Sequence, residues 1–326
     1  MTPDAAHDIE HPESHDTPHP PGCEPSLGVS CAKHRGSAFS VQLMTQVVAV
    51  ATGKGGVGKS SVTSAIAGVY AADGLKVAVI ELDAQGDIAD DFGVRDHPGQ
   101  DDGEAVAASV RDGSPLGAGI QARPNLTYFG GGEALEELAR TPGWTGLDSK
   151  LRAAIDQLDD YDIVLIDTPP SAEALQQVSL AAAQYLLIPT AVDNSSLRAL
   201  YAISYRMVDV EAVNPGIQFL GVVLWNVPTA ASRIRSEARQ TLNDILGDVV
   251  PLLDTTIRSA FATAYECRRR GMLPQEMADT QSGSQSFWKA LKAGLAPDRA
   301  PTSAQSLAGD YHQLAHEILD RLKVSR

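Results

Sequence analysis

Residues 53–60 read G-K-G-G-V-G-K-S, and Gly53, Gly58, Lys59 and Ser60 meet the G-x-x-x-x-G-K-[ST] spacing of a phosphate-binding loop. In such a loop successive backbone N–H groups, here those of Gly55, Gly56, Val57, Gly58, Lys59, Ser60 and Ser61, wrap phosphate oxygens. The last lysine, Lys59, reaches the outer phosphates, and the Ser60 hydroxyl is placed to ligate Mg²⁺. Glycines are required because a side chain would block close approach and forbid left-handed backbone. Two further segments end in carboxylates: Val77–Asp83 at Asp83 and the run from Asp162 at Asp167. Strand-end carboxylates beside a phosphate loop suit a hydrated Mg²⁺ and a positioned water. Asp83 could equally cap the helix that follows it. Lys54 is a second lysine in the loop, and on the motif alone a solvated side chain explains it as well as a functional one.

These groups need elements to hold them. Val47–Ala51 is a short apolar, β-branched run with strand character, and Ser61–Ala72 is Ala-rich and free of Pro. A strand feeding a helix points the helix's free N–H groups and positive dipole end at the phosphates. Strand and helix patterns alternate from there. Strands are predicted at Val77–Asp83, Asn125–Phe129, Asp162–Asp167, Tyr185–Pro189 and Ile217–Leu224. Helices are predicted at Glu133–Arg140, Leu147–Leu158, Ala172–Ala183, Ser195–Val213 and Ala231–Leu246. Asp96–Gly119, rich in Gly and Asp, reads as loop with one short helix. This alternation predicts an α/β fold of the P-loop NTPase type: one domain, 46–326, with a mostly parallel, doubly wound sheet flanked by helices. Residues 1–45 are His-, Pro- and Asp-rich and are expected to be a disordered tail. His7, His11, His15 and His19 recur every four residues there, but Pro12, Pro18 and Pro20 oppose a helix. Thr280–Ser306, with Phe287 and Trp288, reads as an insertion or linker. Tyr311–Leu322 has apolar residues at 311, 314, 315, 318, 319 and 322, one face of a helix. Its polar face mixes acid and base, so packing on the core is expected over a membrane-binding tail.

The order G-K-G-G-V-G-K-S, L-D-A-Q-G-D, I-V-L-I-D-T-P-P-S resembles the ParA/MinD superfamily of deviant-Walker ATPases, and within it the ParA-type DNA-partitioning ATPases. The resemblance covers roughly residues 46–275 and the last helix. It implies ATP and Mg²⁺ as cofactors, and an ATP-bound homodimer in which Lys54 crosses to the partner's nucleotide. It implies catalytic roles for Lys54, Lys59 and Asp83, with Ser60, Asp83 and Asp167 on the metal side. Asn226, closing the strand Gly221–Asn226, falls where the family places an adenine-reading Asn; a turn Asn is the other reading. Two departures stand out near Asp83: Ala84 replaces the usual Pro, and Glu81 stands where Asp is commoner. Pro189, Asp193, Leu197 and Leu200 follow a further family segment with Asp for Glu and without its Gln, and no chemistry is assigned to it.

The 326 residues are 43% hydrophobic, enough for one large core. No apolar run approaches the ~18–20 residues that span a bilayer, and the start of the chain lacks a secretory pattern. Cys23, Cys31 and Cys267 have no metal-ligand spacing, which suits a reduced cytoplasmic protein, and the resemblance implies association with the nucleoid. A net charge of −15 argues against uniform attraction to DNA. Arg233 to Lys292, however, carries nine basic against seven acidic residues. In that half of the chain the family binds non-specific DNA, so Arg258, Arg268, Arg269, Arg270, Arg233 and Arg235 are the implied contacts; a solvated helix face is the alternative. The tail is too short and Pro-rich for a helix-turn-helix. The function implied is DNA partitioning, with hydrolysis stimulated by a ParB-like partner. Positioning of a protein complex, or a membrane-associated regulator like MinD, are the alternatives. The absence of a C-x-x-C and of a terminal Tyr cluster separates the chain from the iron–sulfur carriers and tyrosine kinases of the same superfamily.

Overall fold

A computed structural model describes residues 45–140, 148–170, 172–230, 232–247, 249–283 and 301–322. The expected tail, with its four spaced histidines, and Phe287–Trp288 lie outside the described residues.

Eight strands form one sheet: β1 (Gln46–Val50), β2 (Val77–Glu81), β3 (Ile120–Arg123), β4 (Leu126–Phe129), β5 (Ile163–Asp167), β6 (Tyr185–Thr190), β7 (Gln218–Val227) and β8 (Leu252–Arg258). Their order is β3-β4-β2-β5-β1-β6-β7-β8, parallel throughout except for the β3–β4 edge. That exception follows from the chain: Pro124-Asn125 makes the turn, Asn125 has φ 62°, and two strands joined so closely can only run antiparallel. The strand expected from Asn125 therefore begins one residue later. β3 and β8 were not anticipated from sequence.

Buried on both faces, the central strands are apolar along their length up to the carboxylates that end β2 and β5, and they divide by parity, as the two-residue period demands. Ala49, Ala78, Ile80, Val164 and Ile166 face one layer, where α3 (Glu104–Asp112), α4 (Leu135–Arg140), α5 (Asp148–Ile155), α6 (Glu173–Ala182), α7 (Asn194–Glu211) and α8 (Ser232–Leu246) bury their apolar stripes. Val48, Val50, Val77, Val79, Ile163 and Leu165 face the other, against α1 (Lys59–Ala72), α2 (Asp87–Phe92) and the terminal helix α11 (Ala304–Leu322). A third, small cluster joins α9 (Phe261–Arg270), α10 (Pro274–Gly283) and α11 through Cys267, Met277, Ala278 and Ala304.

α11 is longer than its apolar pattern suggested and packs as expected: Tyr311, Leu314, Ala315, Ile318, Leu319 and Leu322 are all buried. Fully burying such side chains is worth roughly 1.5–3 kcal/mol each for the larger ones. Polar contacts set its register. Tyr70 of α1 donates its hydroxyl to the Ala315 carbonyl at 3.1 Å. Glu317 accepts the N–H groups of Asp254 and Thr255 on the edge strand β8 at 2.7 and 2.9 Å. Asp310 accepts Nε and Nη2 of Arg258 at 2.6 and 2.7 Å. Among the described residues no helix is long and apolar enough to cross a membrane.

The turn after α9 is a close backbone contact. Gly271 has φ 61°, and a Cβ there would lie 2.3 Å from Gly93 Cα. Arg123 ties the same two loops, donating to the Phe92 and Gly271 carbonyls at 2.9 Å each. Gly271→Ala combines left-handed strain of roughly 1–3 kcal/mol with an overlap that backbone cannot relieve locally. Urea unfolding is expected to show an unfolding free energy lowered by at least that strain, and an unchanged value would contradict the contact.

Candidate functional site

In an open parallel sheet, ligands bind beyond the carboxyl ends of the strands, where the strand order reverses. Here that point is β1, flanked by β5 and β6. The loop 53–60 leaves β1 there, β5 ends in Asp167, and β2 ends in Glu81, in register with Asp167.

Gly58 is the N-cap of α1 with φ 83°, a conformation that favours glycine. It has a second reason to be glycine: a Cβ would lie 2.2 Å from the Trp225 indole. Gly55 and Gly56 are exposed, Val57 is buried, and Ser60 and Ser61 open α1 half-buried. The helix thus offers its unpaired N–H groups and dipole to the space above the loop.

Lys59 is buried, as is Asp167. Burial lowers the pKa of the lysine, and the charges of Asp167 and Asp83 only partly offset this. Burial pushes Asp167 up to about 7, against the opposing influence of Lys59 and of its hydrogen bond from Ser60. The Ser60 hydroxyl donates to Asp167 Oδ2 at 2.7 Å and that of Thr63 to Oδ1 at 3.3 Å. Both groups are under-solvated, Lys59 at a position suited to phosphate oxygens and Asp167 at one suited to a divalent cation. This donor set, a hydroxyl and a carboxylate in contact beside a phosphate loop, fits Mg²⁺.

Asp83 lies just past β2, half-buried, accepting the Gln85 N–H at 3.0 Å; burial raises its pKa. It heads an Asx turn ahead of α2, and it remains close enough to Lys59 for their charges to interact. Glu81, one turn of strand earlier, points away into the core. It is wholly buried, accepts from the Tyr128 hydroxyl and the Ile88 N–H, and has a pKa raised well above its ordinary value by burial and then by the charge of Asp167.

Lys54 rests on its own chain. Its ammonium pairs with Asp193 at 2.7 Å and approaches Ser196 Oγ at 3.4 Å. Asp193 is also the N-cap of α7, accepting the Ser196 N–H at 2.9 Å. The Lys54 hydrogen bond, with that from Ser195, holds its carboxyl well below the usual range. The pair is partly exposed, so releasing Lys54 costs only ~0–1 kcal/mol. Asp193 carries an interaction that its sequence segment did not disclose; the D-N-S-S start of α7 was a readable cap, but its partner lies 139 residues away.

Asn226 has φ 59° within β7 and lines a mostly apolar cavity of about 520 Å³ beside Ser61, together with Trp225, Phe261, Tyr265 and Leu273. Phe261 and Tyr265 stack with ring centroids 6.3 Å apart and are exposed. Sequence reasoning missed this aromatic wall. The arginines expected at a nucleic-acid surface fall on separate elements. Arg258 pairs with Asp310, Arg268 with Asp91 and Asp87, Arg269 and Arg270 with Glu266, and Arg233 with Glu237. Arg235 is exposed on α8 beside Arg239.

Residues 48–262 match the model of the CobQ/CobB/MinD/ParA nucleotide-binding domain. The chain is similar to the chromosome-partitioning ATPase Soj of Thermus thermophilus, 32% identical over 54% of this chain and 68% of Soj. It is also similar to the cell division protein PomZ of Myxococcus xanthus, 29% identical over 63% of this chain and 64% of PomZ. The matches thus span about two thirds of each relative's own length. Among solved structures, an ATP complex of McdA from Cyanothece superposes with a TM-score of 0.66 over 87% of this chain and 98% of McdA. At 15% identity that likeness speaks for the fold alone.

Asp167 sets a pH dependence. Folded, it keeps its proton up to about 7, whereas unfolded it ionises near its ordinary 3.8. Between those values the folded state binds more protons, so stability of the free protein falls as pH rises and levels off above about 7. Asp167→Asn removes that contribution. Urea midpoints from pH 4 upward are expected to diverge in the variant's favour until about 7 and then run parallel; curves parallel throughout would contradict the shift.

Proposed function

The chain belongs to the CobQ/CobB/MinD/ParA nucleotide-binding family, and on that premise we propose that it is a DNA-partitioning ATPase that binds DNA non-specifically as an ATP-bound homodimer. The observation that carries this is the meeting of Lys59, Ser60, Asp167 and Asp83 above β1. A phosphate loop, a hydroxyl–carboxylate pair and a free carboxylate together suit phosphoryl transfer to water.

The residues divide the work as follows. Backbone N–H groups of Gly55 to Ser61 bind phosphate oxygens, and Lys59 neutralises the outer phosphates. Ser60 and Asp167 would hold Mg²⁺, which supplies positive charge to the phosphate oxygens. Asp83, exposed enough to meet solvent, orients the attacking water. The apolar cavity walled by Trp225, Phe261 and Tyr265 accepts the base, with the Asn226 amide at its edge. Lys54 leaves Asp193 and reaches a nucleotide held by a second chain, so that a bound nucleotide joins two subunits and gains a cation in transfer. The small cost of releasing that exposed pair makes this exchange easy.

DNA binding would draw on Arg233 and Arg235 of α8 and on Arg258 and Arg268 to Arg270, with phosphates replacing their present carboxylate partners. A partner of the ParB type would bind the cargo and stimulate hydrolysis. Similarity to a cell division protein keeps a second reading, in which the same engine positions a protein assembly. The apolar face of α11 is buried on α1 and the sheet, which weighs against a membrane-docking use.

Duplex DNA binding measured with ATP, ADP or no nucleotide across a salt series tests the reading. Wild type is expected to bind only with ATP, with log K falling by ~0.9 per phosphate neutralised. Lys59→Ala abolishes ATP-dependent binding, and Asp83→Ala retains binding but loses hydrolysis by roughly 10²–10³-fold. ATP-driven dimers without DNA binding at any salt would overturn the partitioning reading.

A further inference from the structure

Among the described residues, Asp73, His312 and His316 bring three ligand atoms within 4.8 Å of one another. We propose that they form a binding site for a divalent transition-metal ion of the Zn²⁺ class, clamping α11 to the far end of α1.

The sequence places two of the ligands. His312 and His316 are four residues apart on α11, so their imidazoles lie one above the other on one face; the ring centroids are 4.3 Å apart. The third comes from the C-cap of α1, where Asp73 Oδ2 lies 3.5 Å from His316 Nε2. A tetrahedral ion with bonds of ~2.0–2.1 Å holds its ligands roughly 3.3–3.4 Å apart. The His316–Asp73 spacing is therefore already close to a coordination edge, and the His312 ligand nitrogen lies within 4.8 Å of both.

The scaffold around the site is ordered independently of any ion. Tyr70, three residues before Asp73, is hydrogen-bonded to the carbonyl of Ala315, adjacent to His316. Leu314, Ala315 and Ile318 are buried on either side of the histidines. Backbone register between the two helices is thus fixed at the level of the ligands, and little ordering entropy opposes binding. Two imidazoles and a carboxylate select Zn²⁺, Co²⁺, Ni²⁺ or Cu²⁺ over the hard Mg²⁺, which prefers an all-oxygen set. The three protein ligands leave a position for water on the exposed side.

Its role is structural. α1 has 14 residues, so the site lies on the order of 20 Å from the phosphate loop at ~1.5 Å per residue. An ion there joins the first and last helices of the layer that carries the loop, and stabilises the folded state in proportion to the logarithm of its concentration.

The test uses the full chain, because the tail histidines are also imidazole ligands and must be common to every sample. Zn²⁺ is titrated calorimetrically into wild type, His312→Ala, Asp73→Asn and His316→Lys, with thermal unfolding followed in parallel. His316→Lys places a cation opposite Asp73 in place of a ligand imidazole, so it separates coordination from an ion pair. Wild type is expected to bind one more equivalent than each variant, or to bind it more than roughly tenfold tighter. Its Tm rises with Zn²⁺ while those of the variants stay flat, and Mg²⁺ at equal concentration moves none of them. Equal stoichiometry and affinity in wild type and all three variants, or equal Zn²⁺-dependent Tm shifts, would overturn the proposal. ATP hydrolysis is unchanged by His312→Ala.

Discussion

Two opposite charges that cannot be properly solvated govern this molecule. Lys59 and Asp167 are both buried at the carboxyl edge of the sheet. An isolated buried ion costs several kcal/mol even after relaxation, and each is driven toward its neutral form. Neither can be moved to water without dismantling the strand or helix that holds it. Asp167 ends β5 at the sheet's centre, and Lys59 opens the helix that covers it. The sheet order, the glycine at the head of α1 and the hydroxyls of Ser60 and Thr63 all serve to keep this pair in place.

Much of this was legible because it is local. The phosphate loop and the central strands are contiguous residues whose period and composition determine their form. What escaped is instructive. β8, reading L-L-D-T-T-I-R, buries only Leu253 and Ile257 on the sheet's outer edge, so no alternation announces it. α9 turns Phe261 and Tyr265 outward and arginines along its last turn, so its pattern is the reverse of a core helix. α2 has six residues, too few for a period to show. Glu81 stood out only as a Glu where Asp is commoner, and β2 turns it inward to Tyr128, while Asp83, two residues on, lies within electrostatic reach of Lys59. Asp83 lies beyond the last residue of β2, in the turn that leads to α2, so strand parity no longer dictates its direction and position alone could not separate their roles.

Lys54 shows where reading by letters ends. The extra lysine was visible at once, but Asp193, the carboxylate that holds it, lies on the helix beyond β6. That aspartate does two jobs with one side chain, capping α7 and retaining the lysine. Moving Lys54 therefore also changes the charge balance at the start of α7, whose outer face carries the exposed Tyr201, Tyr205 and Val208. The loop and the start of α7 are linked through a single carboxylate.

The hydrogen bond between Tyr70 and Ala315 joins positions 245 residues apart. During synthesis at roughly 5–20 residues per second, the apolar face of α1 emerges some ~12–50 s before the helix that covers it. Through that interval α1 has only the strands to pack on, and Tyr70 lacks the helix that accepts its hydroxyl. The phosphate loop is complete in sequence long before its supporting layer can close. Biogenesis of this fold thus has a long vulnerable window, during which a chaperone has more to shield than the finished surface would suggest.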